Sequence, residues 1–309
     1  MRVLITGGTG FLGRALAGRL QEAGYEVIVL SRRPEQARLP PGVQVTRWDG
    51  RTATGWADLV DGAFALINLA GESIGQRWTA TVKQRLRESR LNAGRAVVEA
   101  IAAARTKPQV LLQASAVGYY GPRGDERLTE EDPPGNDFLA RLAVDWEAST
   151  QPVEALGVRR VILRTGLVLE RDGGALARLL PPFRLFAGGP LGNGRQGWSW
   201  IHRADWVEAV RFLMERPDAR GPYNLTAPQP VSNAEFSRTL GRVLGRPSWL
   251  PVPALALRLI FGEGADFLLT GQFVLPRRLL EAGFTFQYPD LESALRAILG
   301  GEKRPGRGL

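Results

Sequence analysis

Eight residues near the start of the chain, TGGTGFLG (Thr6 to Gly13), restrict the fold more than any other stretch. They follow an apolar run, RVLIT (Arg2 to Thr6), and open the segment FLGRALAGRLQEAG. In that segment Phe11, Leu12, Leu16 and Leu20 recur at helical spacing, and Gly24 supplies a stop. A second apolar run, EVIVL (Glu26 to Leu30), comes next. Strand, glycine loop, helix and strand within about 30 residues make a right-handed βαβ unit. In such a unit Gly7 makes the turn, Gly10 lets backbone approach a pyrophosphate and Gly13 lets the helix pack on the sheet, while the N–H groups that open the helix face the anion. The loop predicts a dinucleotide site.

The pattern continues with VQVTR (Val43 to Arg47), FALINL (Phe64 to Leu69), VLLQA (Val110 to Ala114) and RRVILR (Arg159 to Arg164). Nearly continuous apolar runs are what parallel strands need when both faces are covered. A long helix fits TATVKQRLRESRLNAGRAVVEAIAAA. Past Gly166 the pattern loosens into a Gly- and Pro-rich stretch. A helix over RADWVEAVRFLMER, a strand YNLTA and helices around SNAEFSRTLGRVLG and LESALRAIL follow it. The expected fold is α/β, a Rossmann-type doubly wound parallel sheet with a second, smaller, mostly helical substrate lobe. Residues 1–166 and 201–228 are assigned to the nucleotide-binding domain, 167–200 and 229–300 to the substrate lobe, and 301–309 to a flexible tail.

The end of the second strand discriminates between nucleotides. NAD requires an acid there to take the ribose 2′-hydroxyl. The chain has VLSRRP instead, with Ser31, Arg32 and Arg33 and no carboxylate. A guanidinium fork suits a 2′-phosphate that an acid would repel, so NADP is the expected cofactor. Asp49, in RWDG after the third strand, is placed either to meet an adenine edge or to form an Asp-Gly turn.

Composition removes several alternatives. The chain has no cysteine and a single histidine, His202, which excludes thiol nucleophiles, disulfides and multi-histidine metal centres. The net charge of +9 comes from arginines spread along the chain, with lysine only at positions 83, 107 and 303, and this lack of clustering argues against a nucleic-acid surface. No apolar run is long enough for a membrane span, and the opening MRVLIT reads at once as a strand rather than a leader, so the expectation is a cytoplasmic protein. Its expected partner is a small-molecule substrate.

TGGTGFLG, NLAG (Asn68 to Gly71) and SWIHRAD (Ser199 to Asp205) together resemble the extended short-chain dehydrogenase/reductases, the NAD(P)-dependent epimerase/dehydratase superfamily. NLAGESIGQRWT, SAVGYYG, GGPLGNGRQGWSWIH and PRRLLEAGFTFQYPDLESAL narrow the resemblance to the poorly characterised branch of epimerase family proteins with a C-terminal domain of unknown function. The resemblance spans essentially the whole chain. It implies that Gly7, Gly10, Phe11 and Leu12 form the pyrophosphate loop, that Ser31 and Arg32 contact the 2′-phosphate, and that Leu69, Ala70 and Gly71 lie along the nicotinamide ribose. It also matches Arg85 and Arg90 to basic positions that reach the cofactor, against the alternative of a solvated helix face. Asn193, Arg195 and Gln196 match a substrate loop, with Trp200 beside them.

In such relatives a Ser or Thr bonds the reacting hydroxyl, a Tyr is the acid/base, and a Lys four residues later lowers that tyrosine's pKa. Ser115, at the end of the fifth strand in QASAVGYYG, suits the first role. The Tyr and Lys belong about 25 residues on, in FLARLAVDWEAS, where neither occurs: no tyrosine lies between Tyr120 and Tyr223 and no lysine between Lys107 and Lys303. Leu139, Leu142, Ala143 and Trp146 keep that segment's apolar helical stripe. Substitute proton carriers are Tyr119, Tyr120 and, if desolvation raises its pKa, Glu72; the remaining possibility is no side-chain base at all. His202 reads as a structural, hydrogen-bonded imidazole at the start of a helix. Trp78, Trp198 and Trp200 either line a pocket or pack. The expected function is an NADP-dependent oxidoreductase or epimerase-like enzyme lacking the Tyr-Lys dyad. The alternative is a non-catalytic NADP(H)-sensing protein.

Overall fold

Strands that are apolar at nearly every position have no face to give to water, so they must be covered on both sides. A computed structural model shows how, and describes residues 1–300; the predicted flexible tail lies outside the described residues. Seven parallel strands form one sheet in the order β11-β7-β5-β4-β1-β2-β3. They are β1 (Arg2–Thr6), β2 (Glu26–Ser31), β3 (Gln44–Arg47), β4 (Ala65–Asn68), β5 (Val110–Ala116), β7 (Arg159–Thr165) and β11 (Gly221–Leu225). Each of the first six lies within about two residues of its expected range, and YNLTA forms the seventh strand two residues early.

Helices α1 (Phe11–Glu22) and α5 (Arg203–Glu215) cover one face, where Leu16, Leu20, Trp206, Val210 and Leu213 pack on Val3, Ile5, Val29, Ile67, Leu112 and Leu163. Helix α2 (Ala80–Ala103) covers the other, setting Ala93, Ala96, Val97 and Ile101 against Leu4, Leu30, Leu66 and Leu111. Each fully buried aliphatic side chain contributes about 1.5–3 kcal/mol to this core. Helix α3 (Phe138–Ala148) follows β5, and a short β6 (Arg127–Leu128) lies between them. The strand order reverses between β1 and β4, the point at which such sheets open a crevice at their carboxyl edge.

The remainder contains β8 (Leu167–Glu170), α4 (Gly174–Arg184), β9 (Gly197–Trp198), β10 (Trp200–His202), β12 (Val231–Ser232), α6 (Asn233–Leu244), α7 (Ala254–Phe261), α8 (Asp266–Leu269), β13 (Phe273–Val274), α9 (Arg277–Glu281) and α10 (Leu291–Leu299). Leu176, Leu180, Phe183, Phe236, Leu240, Leu295 and Ile298 give α4, α6 and α10 a core of their own. Helix α4 was not expected from the sequence, because it carries Pro181 and Pro182.

One segment of the expected substrate lobe packs on the other domain. The expected lobe of 229–300 is not continuous, because the segment from β13 to Tyr288 packs on the nucleotide-binding sheet. β13 pairs with β6, and Leu279, Phe284 and Phe286 join the α1/α5 core. Asn224 Nδ2 donates to Leu275 O (3.0 Å) and Arg216 Nη1 to Ala282 O (2.6 Å). Asp205, at the start of α5, accepts the N–H groups of Gln287 (2.7 Å) and Tyr288 (2.9 Å). No helix among the described residues is long and apolar enough to cross a membrane.

Candidate functional site

The carboxyl edge of the sheet opens into a cleft of about 460 Å³ along β1, β2 and β4. Its floor is the glycine loop. Gly7 has φ +68°, and a Cβ there would stand 2.8 Å from the backbone carbonyl of Leu69, so only glycine closes the turn. A Cβ on Gly13 would stand 2.5 Å from the Gly8 Cα, so its absence lets α1 lie on the loop. Gly10 begins that helix with no side-chain cap, leaving opening N–H groups for a ligand. Phe11 turns its ring away to pack on Gly173 beneath the Arg203 guanidinium (5.2 Å), and Leu12 packs into the core, so at these positions only backbone is offered to the cleft.

Gly7, Gly10, Ser31, Arg32, Asp49, Leu69, Ala70, Gly71, Glu72 and Arg85 all line the cleft, and Arg33 joins Thr9, Ser31 and Arg32 in an adjoining recess of about 470 Å³. The recess lining holds two guanidinium groups and no carboxylate. Ser31 Oγ accepts the Arg33 N–H (3.2 Å), fixing the turn that presents them. Asp49 serves that wall by making a turn: its carboxylate accepts the N–H groups of Arg51 (2.7 Å) and Thr52 (2.9 Å). Slight burial opposes its charge, but these bonds outweigh burial and lower its pKa. Sequence reasoning missed four residues on the cleft wall: Trp48, which follows β3, and Glu88, Ser89 and Asn92, whose only sequence signal is helical spacing from Arg85.

Beneath the cleft a neutral polar ladder crosses three strands in register, Thr6 beside Asn68 and Asn68 beside Gln113. Thr6 Oγ1 donates to Asn68 Oδ1 (2.6 Å), and Asn68 Nδ2 donates to Gln113 Oε1 (2.8 Å). Thr6 Oγ1 also accepts the Ala70 N–H (3.3 Å), which holds the loop after β4 in place.

A second ladder, Ser115 beside Arg164 and Arg164 beside Asn224, crosses β5, β7 and β11, next to the expected catalytic residues. Ser115 is buried and its Oγ donates to Glu147 Oε1 (2.6 Å), on α3. Glu147 in turn holds Arg164 by two bonds, Nε to Oε1 (2.9 Å) and Nη2 to Oε2 (3.0 Å). Tyr120 is wholly buried; its hydroxyl donates to Asn224 Oδ1 (2.7 Å) and accepts from Arg164 Nη1 (3.1 Å). Burial pushes the Tyr120 pKa up to about 12, against the lowering pull of Arg164. Burial also opposes the Arg164 charge, but Glu147 outweighs it and raises the arginine's pKa. Tyr119 is half-buried with the Arg164 guanidinium 3.4 Å from its ring centre, and among the described residues its hydroxyl has no hydrogen-bond partner. Glu147 was missed at the sequence level; its signal was a carboxylate four residues after Ala143, on the apolar side of the helix.

Glu72 lacks the raised pKa on which its expected role depended. Its side chain bonds Arg85 (3.0 Å) and Gln76 (3.1 Å), and these bonds hold its carboxyl below the usual range rather than above it. Arg85 thus meets Glu72 at the cleft wall. Arg90 is buried between α2 and α3; its Nη1 donates to Leu86 O (2.9 Å), its Cζ lies 4.8 Å from the Trp146 ring, and burial lowers its pKa to about 10.

Of the expected substrate residues, Trp200 is wholly buried and donates Nε1 to Gln229 O (2.9 Å), so it packs rather than contacts a ligand. Gln196 is buried with Nε2 on the carbonyls of Leu191 (3.0 Å) and Leu268 (2.8 Å). Asn193 and Arg195 are exposed in one turn, where Asn193 Oδ1 accepts the Arg195 N–H (2.9 Å). Trp78 packs on Phe138 and Trp198 on Phe236. His202 caps α5, its Nδ1 accepting the Ala204 N–H (3.0 Å), and burial pulls its pKa down to about 4.

Comparison with known proteins gives two family matches, the NAD dependent epimerase/dehydratase family over residues 3–226 and a domain of unknown function, DUF1731, over residues 252–298. The chain is 42% identical over 307 residues to the chloroplastic epimerase family protein SDR39U1 homolog of Arabidopsis thaliana, covering 97% of this chain and 87% of that one. It is 40% identical over 306 residues to the epimerase family protein YfhF of Bacillus subtilis, covering 98% and 99% of the two chains. A crystal structure of human epimerase family protein SDR39U1 (isoform 2) with NADPH superposes with a TM-score of 0.88 at 36% identity, over 98% of this chain and all of that one.

Proposed function

We propose, from the premise that the chain belongs to the NAD dependent epimerase/dehydratase family, that it is an NADP(H)-dependent oxidoreductase or epimerase-like enzyme. Its substrate is a small polar or nucleotide-linked molecule, and its proton route uses no Tyr-Lys dyad. The observation that carries the reading is the acid-free recess of Ser31, Arg32 and Arg33 beside the Gly7–Gly10 loop. The similar human protein, solved with NADPH, supports the same assignment. When bound, the nicotinamide supplies hydride chemistry. The protein's own residues then have three tasks. The loop N–H groups and Arg32 hold phosphates, the Thr6–Asn68–Gln113 ladder keeps the loop after β4 in place, and a proton must reach the substrate. Ser115 and Tyr120 are committed to internal bonds, which leaves Tyr119 as the remaining side-chain candidate of that loop. The proposal extends to a cytoplasmic setting, consistent with a chain free of cysteine.

Titration of the purified protein with NADPH and NADH tests the cofactor assignment. NADPH should bind at least roughly tenfold tighter, the worth of one charge-assisted phosphate contact, and equal affinities overturn it. Arg32→Glu should reverse the preference.

The internal commitment of Ser115 and Tyr120 favours a second reading, a non-catalytic NADP(H)-binding protein. Both readings require NADPH binding. Hydride transfer to any member of a carbonyl and nucleotide-sugar panel separates them, because the second predicts none.

A further inference from the structure

Seven of the eleven exposed large apolar side chains among the described residues fall on two stretches of the substrate lobe. Leu185 and Phe186 follow α4, while Trp249 and Leu250 lead into α7, which adds Leu255, Leu259 and Ile260. The two stretches run side by side. The Leu250 N–H donates to Gly188 O (3.2 Å), Val252 pairs with Leu191, and Leu257 of α7 packs with Leu191 from within. Arg246 Cζ stands 4.4 Å from the Phe186 ring. The seven side chains are 45–77% exposed, which leaves on the order of 900 Å² of apolar surface in water. The largest apolar patch of a monomer is usually about 300–600 Å², whereas each partner in a standard stable interface contributes about 800 Å².

The chain does not hide this face itself. Leu255 and Leu259, one helical turn apart, lie opposite the buried Leu257. Helix α7 is held in that orientation by Arg77 Nη1 on Leu259 O (2.7 Å) and by the Trp78 N–H on Phe261 O (3.2 Å). Phe186 is the one non-glycine residue of positive φ (+62°) among the described residues, so its ring is held toward water at a backbone conformation that costs strain. Residues 301–309 add a single large apolar side chain, Leu309, among glycines and charges.

Charge selects the occupant. Arg246 marks one end of the face, and among the described residues no carboxylate lies within ion-pair distance of it. Asp266, just past α7, marks the other end, exposed and met by Arg258 only at 3.9 Å. A face that is apolar between ends of opposite charge is complementary to itself when a two-fold axis sets two copies antiparallel. We propose that this α7 face is the interface of a homodimer, with Arg246 of each copy opposite Asp266 of the other.

Sedimentation of the full chain at concentrations up to about 100 μM tests the proposal, and the expected mass is that of two chains and no more, because the pairing closes on itself. Leu255→Glu with Leu259→Glu, both on exposed positions, should leave a folded monomer with the parent's affinity for NADPH. Arg246→Glu should weaken association by roughly tenfold or more by setting like charges together twice, and adding Asp266→Arg should restore it. Phe186→Gly, which accepts the positive φ, should dimerise more weakly while its monomer melts no lower than the parent's. The inference is overturned by a parent that stays monomeric throughout, by a dimer that survives the paired leucine substitutions, or by a charge swap that associates no better than Arg246→Glu alone. A monomeric parent that sediments with vesicles of phosphatidylcholine and phosphatidylglycerol assigns the face to a lipid surface and overturns it as well.

Discussion

The two halves of the sheet's carboxyl edge are built from the same kind of ladder and end in opposite states. Along β1, β4 and β5 the ladder is neutral, Thr6–Asn68–Gln113, and above it the loop N–H groups and the Arg32 and Arg33 side chains face a cleft. Along β5, β7 and β11 the ladder is Ser115–Arg164–Asn224, and Glu147 and Tyr120 complete it from within. A neutral ladder can hold a loop cheaply while the loop serves a ligand. The Arg164 guanidinium is buried here, and Glu147 and Tyr120 fill its donors, so both residues are tied up in internal bonds. The internal bonds of this half favour reading it as framework.

The contrast is open to attack in both directions. Replacing Glu147 by Gln should have the largest effect, because it strands Arg164 as an unpaired buried charge; a loss of about 3–5 kcal/mol is expected in urea denaturation, with NADPH affinity of the folded fraction unchanged. A Glu147→Gln protein of normal stability would mean that Arg164 was never desolvated. His202 gives the next effect. Its folded pKa of about 4 lies below the ordinary 6.5, so the native state binds fewer protons than the unfolded chain. The stability this confers is complete above about pH 6.5 and drains away as pH falls toward 4, by roughly 3 kcal/mol. His202→Asn, which can still cap α5, should flatten that window, and an unchanged pH profile would show that the imidazole is not buried neutral.

Tyr120→Phe should cost about 1–3 kcal/mol, since Asn224 and Arg164 each lose a buried partner. If it instead abolishes hydride transfer while leaving stability intact, Tyr120 is catalytic and the framework view of this half fails. Ser115→Ala is expected to cost least, about 1 kcal/mol, because Glu147 Oε1 keeps its bond from Arg164. On the cleft side the signature reverses. Gly7→Ala forces an L side chain to φ +68° and against the Leu69 carbonyl, so it should remove NADPH binding well before it threatens the fold.

The sheet and the glycine loop were legible because burial on both faces and backbone geometry leave local signatures. Gly7, Ser31 and Arg32 sit where their spacing put them, and LESALRAIL is a helix over the expected residues. The second ladder was not legible, because its meaning lies in pairings across the sheet. Ser115 beside Arg164 is a register relation, and Glu147 reaches both only once α3 has packed. Read alone, Ser115 looked like half of a catalytic pair, and its hydroxyl is instead the end of a salt-bridged network. Helix α4 escaped for another reason: Pro181 and Pro182 lie in its last turns, where the local rule against proline is outweighed by burial of Leu176, Leu180 and Phe183.

The carboxylate of Asp205 has a consequence for how this chain can be divided. By holding Gln287 and Tyr288, and with Phe284 and Phe286 set into the core over α5, it makes the stretch after residue 252 part of the cooperative unit that residues 3–226 begin. Two regions that can be recognised separately by their sequences are therefore expected to melt together. The seam between them is one of ancestry, and heat or denaturant has no reason to find it.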